Sequence, residues 1–148
     1  NPMQGPRLLA DKELQQTREQ ADFLGGMLFA ADRFSSMTNE GIVDFNGEKA
    51  YKIKMVRKDS GNEAWQYFSV ASGLNIGSES STTTEMGTIQ VSTLVKDYKA
   101  FGGLKFATRS EANMGPQTMI LTIKDVQINA ATPDAFAVPA AIQPLIKK

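Results

Sequence analysis

The chain has 148 residues, 41% of them apolar, with 16 basic side chains balancing 16 acidic ones. That length suits one domain, and the neutral balance leaves no global field to draw in nucleic acid or an anionic membrane. Cysteine and histidine are both absent, which excludes disulfides, thiolate metal sites, zincin motifs, Ser-His-Asp triads and the usual general base. No apolar run approaches the roughly 18 residues of a membrane-spanning helix, and no stretch of these residues reads as a signal peptide. A chain without cysteine fits either a reduced cytoplasm or a periplasm.

Residues 1–7 carry two prolines and a glycine and read as irregular; with Asn1 in first place, the chain reads as a piece excised from a larger protein. From Lys12 to Leu24 the composition favours helix, with Asp11 as N-cap and Gly25-Gly26 as the stop. Its apolar stripe is thin, so it should lie on a surface and cover something. A second, greasier helix is expected over Met27–Phe34.

Strands follow. Thr38–Phe45 is a short one, closed by Asn46-Gly47, which predicts a primed hairpin turn. Tyr51–Lys58 alternates, with Tyr51, Ile53 and Met55 on one face and Lys52 and Lys54 on the other. Asp59-Ser60-Gly61-Asn62 is turn chemistry, and Glu63–Val70 is aromatic and β-branched. The expected hairpin puts Trp65 and Tyr67 with Ile53 and Met55 on an oily face, opposite a wet face of Lys52, Lys54, Arg57 and Lys58. Leu74–Ser80 is polar and predicted near an edge. Thr88–Tyr98, Leu104–Ser110 and Gln117–Ile128 are further strands, separated by Gly102-Gly103 and Asn113–Pro116. Pro133–Pro139 reads as a turn or helical loop, and residues 140–148 as a tail.

The fold class expected is α+β. A curved antiparallel meander of about seven strands, an incomplete half-barrel, has two N-terminal helices covering its concave face. One domain spans the chain: a helical cover at 1–37, the sheet at 38–139 and the tail.

Carboxylates are the remaining acid/base candidates. Glu79 and Glu85, and Asp97 beside Tyr98, show no catalytic spacing and read as solvated surface. Gly102-Gly103 lacks the Lys-Ser/Thr of a phosphate loop, and Asp59–Asn62 lacks the later Glu of a calcium loop. The basic patch reads as a solubilising face. No metal, cofactor or catalytic residue is expected, and no nucleic acid partner. The residues expected to line an apolar pocket are Leu24, Met27, Leu28, Phe29, Ile53, Met55, Trp65 and Tyr67.

Four stretches resemble, in order, the periplasmic lipoprotein-carrier-like family, the outer-membrane lipoprotein-sorting fold. Gly47–Ile53 resembles its G-x-x-x-Y strand, and Trp65–Leu74 its aromatic hairpin ending T-G-L. Asp97–Ala107 resembles its D-Y-x-x-x-G-G-l-x-f-P, and Val126–Asn129 with Asp134–Pro139 its closing v-x-i-N and F-x-x-P. The likeness runs from about residue 38 to 139. Ser69 and Ala107 stand where the family often has Asp and Pro. The resemblance implies a half-barrel whose cavity takes acyl chains, and an exported, periplasmic setting. Similar domains also sit on larger exported proteins, insulinase-type peptidases among them. The family's first strands precede its helices and have no counterpart here, so no ligand residue carries over. A sheet edge left open is expected to pair with a second copy, edge to edge or by swapping, or to form a mixed interface with the missing segment. The function expected is non-enzymatic binding of a lipid or other apolar molecule in the concave face. The alternative is a structural or interaction module with a filled core.

Overall fold

The computed structural model describes residues 7–21, 30–84 and 87–146. Seven strands form one open antiparallel sheet in strict sequence order: β1 (Phe34–Phe45), β2 (Glu48–Arg57), β3 (Glu63–Ser69), β4 (Asn75–Thr84), β5 (Gly87–Phe101), β6 (Leu104–Met114) and β7 (Gln117–Thr122). Each strand pairs only with its neighbours in the chain, and β1 and β7 are the edges.

Turn chemistry sets the hairpins. Asn46 and Gly47 have φ of 53° and 84°, the pair of positive values that a primed turn requires. Asp44 Oδ1 accepts the Gly47 N–H at 3.0 Å and fixes the bend. Gly115 has φ 59° ahead of Pro116, so glycine takes the strained corner and proline the next. At the end of β3 the buried Ser69 hydroxyl donates to Glu48 Oε1 and accepts the Ser72 N–H at 3.1 Å.

Two helical segments are described, α1 (Asp11–Ala21) and α2 (Ala30–Arg33). Asp11 has φ 46°, left-handed rather than the extended backbone of an N-cap. The turn is held instead by Arg7, whose Nη1 donates to Glu13 Oε2 at 2.7 Å. The single turn α2 packs on β1. Lys58 ties it down, its Nζ donating to the Ala31 carbonyl at 2.7 Å and its amide to that of Arg33 at 3.0 Å, as cations at helix C-termini do. Residues 27–29 of the expected second helix lie outside the described residues, and Phe34 already belongs to β1.

Two expectations about the sheet are overturned. The Ser/Thr-rich β4 is the central strand, not an edge. Small side chains suit it there, because Gly77 lies under the Phe45 ring. The last strand stops at Thr122, not Ile128. Register shifts interrupt the β5–β6 ladder between Val95 and Tyr98, and bulges of this kind bend a ladder and end pairing. After Ile123 donates to the Thr108 carbonyl at 2.8 Å the chain leaves the sheet. Ile128 then packs on Gly102, where a Cβ would stand 2.7 Å from its Cδ1. Beyond lie two short 3-10 turns, Pro133–Phe136 and Gln143–Leu145.

Candidate functional site

Cross-strand pairing assigns the two faces of the sheet, because residues directly opposite each other share a face. Lys52 pairs with Tyr67 and Lys54 with Trp65, while Ile53 pairs with Gln66 and Met55 with Ala64. Trp65 and Tyr67 therefore share the lysine face. This corrects the expected oily wall: the two halves of the predicted pocket stand on opposite sides. The cause is the β2–β3 connection, in which Arg57 and Asn62 close the loop by the Arg57 N–H to Asn62 carbonyl bond of 3.0 Å. Its length sets the phase of β3 against β2, and one residue of phase turns a whole strand over.

The sheet curves toward the face that carries Trp65 and Tyr67. Phe45 of β1 stacks on Tyr67 of β3 at 3.9 Å between centroids, and its ring reaches to within 2.5 Å of where a Cβ on Gly77 of β4 would stand. Strand β1 lies three strand spacings from β4, about 14 Å in a flat sheet, beyond the reach of one phenylalanine. Only a sheet that curls around this face brings them together. Beneath the stack Ala50 and Ser69 are fully buried and Tyr67 is 4% exposed.

Farther along the concave face the side chains are ionic. A bulge between Asn39 and Ile42, with Gly41 at φ 106°, brings Glu40 to this side. Glu40 Oε2 accepts from the Trp65 indole at 3.2 Å and from Lys52 Nζ at 3.4 Å. Lys54 pairs with Glu63 at 2.7 Å. The two ammonium groups stand 5.6 and 5.7 Å from the Trp65 ring, within cation–π range. Tyr67 donates its hydroxyl to Glu79 Oε2 at 2.7 Å. Burial, together with that carboxylate, pushes the Tyr67 phenol well above its ordinary value, so it stays a neutral donor.

The predicted pocket residues fall into three places. Leu24, Met27, Leu28 and Phe29 lie outside the described residues. Ile53 and the buried Met55 stand on the convex face. Trp65 and Tyr67 line the concave one, joined by Phe45, Glu40, Glu63 and Glu79. Phe101 and Phe106 form a separate edge-to-face pair at 6.1 Å, away from the Phe45–Tyr67 stack. Glu40 and Gly77 were missed in the sequence; the Asn-Glu-Gly stretch was the signal for the bulge.

Chemically, this face binds itself. Lys52 and Lys54 are each engaged by a carboxylate, and the Trp65 ring lies between them. Arg57 hydrogen-bonds Asp59 in an exposed turn, and the guanidinium lowers the Asp59 carboxyl below the usual range. Among the described residues no three acidic side chains converge as a metal site would need, and no helix is long and apolar enough to cross a membrane.

No protein-family model, no curated protein and no solved structure matches the chain.

Proposed function

We propose that this chain is a non-catalytic interaction module of a larger exported protein, its concave face filled by its own side chains and its remaining apolar surface offered to another protein chain. One observation carries this reading. The chain exposes 11046 Å², against about 7400 Å² expected for a compact monomer of 16.1 kDa. The excess is apolar in part: Met37, Ile42, Met119, Ile120 and Leu121 on the sheet, and Phe136 in the tail, stand in water. Surface of that kind marks contact sites. The resemblance to domains carried on exported peptidases supports the setting. The test is methionine oxidation footprinting at Met37, which the Phe45–Tyr67 packing leaves untouched. Met37 should react more slowly in cells that make the full protein than in the purified chain. Equal reactivity in both would sink the reading.

A second reading, an apolar ligand in the trough, is favoured by the three rings Phe45, Trp65 and Tyr67 on one concave face. Trp65 is the one tryptophan of the chain, so its emission reports on that face directly. Titration with a fatty acid should leave this emission unchanged if the face is filled; a saturable blue shift would favour the lipid-binding reading instead.

A further inference from the structure

The two edges of the sheet differ in a way that points to a partner. Strand β1 carries the devices that keep an edge from pairing: register shifts at Phe34/Ser36 and Asn39/Ile42, and the charges of Glu40 and Asp44. Strand β7, Gln-Thr-Met-Ile-Leu-Thr, has none of them. It holds no charge and no proline, its register with β6 is unbroken, and all six residues are exposed. Met119, Ile120 and Leu121 are 54, 55 and 54% exposed. Among the described residues, the backbone hydrogen bonds between Thr132 and Ile146 close within that segment and leave this edge uncovered.

The hairpin fixes which backbone groups face outward. Met114 and Gln117 flank a two-residue turn, so they form a hydrogen-bonded pair. Alternation then turns Gln117, Met119 and Leu121 toward β6. The Ile123 N–H to Thr108 carbonyl bond has the same parity. Thr118, Ile120 and Thr122 therefore present their amides and carbonyls to the open side.

We infer that β7 pairs antiparallel with β7 of a second copy, about a two-fold axis through Ile120. This deepens the interaction-module reading and rests on it. In this register Ile120 lies opposite Ile120, and Thr118 opposite Thr122 in both senses. All six outward groups on each edge gain partners. Met119 lies across from Leu121 twice on the convex face, and Ile120 meets its own copy on the concave one. No like charges meet. A two-fold contact needs a self-complementary patch, and the five residues Thr118–Thr122, reading Thr-Met-Ile-Leu-Thr, are one. The seven-stranded sheet becomes a continuous sheet of fourteen.

Cysteine cross-linking reads the register, because the chain has no cysteine of its own. Ile120→Cys alone should form a covalent dimer under mild oxidation, its two Cα atoms lying within disulfide reach. Thr118→Cys alone should not, since its two copies stand about 13 Å apart along the strands. Mixing Thr118→Cys with Thr122→Cys should restore cross-linking. Sedimentation of the unmodified chain should show a concentration-dependent dimer, and Ile120→Lys, which opposes two like charges on the axis, should make it monomeric with unchanged circular dichroism. Ile42→Lys on the other edge should leave the dimer intact. A monomer at every concentration, or Thr118→Cys cross-linking as fast as Ile120→Cys, would overturn the proposal. A filled or ligand-loaded concave face is read separately by Trp65, so either idea can fail alone.

Discussion

Thr108 is 3% exposed and its hydroxyl has no partner among the described residues. A buried hydroxyl without a hydrogen bond costs on the order of 1–3 kcal/mol. Valine has nearly the same shape and suits a strand better. Thr108→Val should therefore raise stability by about 1 kcal/mol, read as a shifted urea midpoint at constant slope. Tyr67 gives a second residue-scale expectation. Its phenol titrates above the ordinary tyrosine value of about 10 because it is buried and bonded to Glu79. The unfolded chain loses that proton near pH 10 while the folded chain keeps it, so the contribution is intact below pH 10 and declines as pH rises above it. The slope is about 1.4 kcal/mol per pH unit. Tyr98, also raised by burial, adds with the same sign. Urea midpoints across this range should fall less steeply in Tyr67→Phe; an identical fall would show that Tyr67 is not the group responsible.

At the scale of the element, β4 repays attention because it is polar yet central. Its tolerance for that place comes from Gly77, where a methyl group would overlap the Thr93 carbonyl and stand 2.5 Å from the Phe45 ring. Gly77→Ala should cost about 1–3 kcal/mol by overpacking, and Phe45→Ala in the same background should recover part of that cost. Additive losses would mean the two do not touch. The same strand shows where sequence reading stops. Alternation and the Asn-Gly, Gly-Gly and Gly-Pro punctuation made the strands and turns legible, since both are local properties of a few residues. Strand order was legible only as a meander, and β4 was misread because polarity suggested an edge. The face of Trp65 and Tyr67 was illegible for another reason. Period two describes each strand on its own, but their relative phase is decided in the Arg57–Asn62 loop. The extent of β7 was misread because Val126-Gln127-Ile128 resumes the alternation of a strand, while the shifts opposite Val95–Tyr98 withdraw the ladder it would need.

For the whole molecule the governing number is exposed area. A chain that keeps 11046 Å² in water uncovers less on unfolding than a compact chain of equal length. Denaturant slopes scale with that difference, so the urea m-value should be about a quarter below the usual value for this size. A normal slope would mean that the apolar side chains described as exposed are covered in solution. Few large side chains are deeply buried, Met55 and Tyr67 among them, so stability rests on seven laddered strands more than on a thick core.

That ladder runs β1 to β7 without one crossover. Because each ribbon needs only the one made before it, loop-closure costs stay small and contacts stay near in sequence, the conditions under which β proteins fold fast. Zippering can begin as the polypeptide leaves the ribosome, hairpin upon hairpin. A mistake late in synthesis would leave the earlier ribbons already assembled.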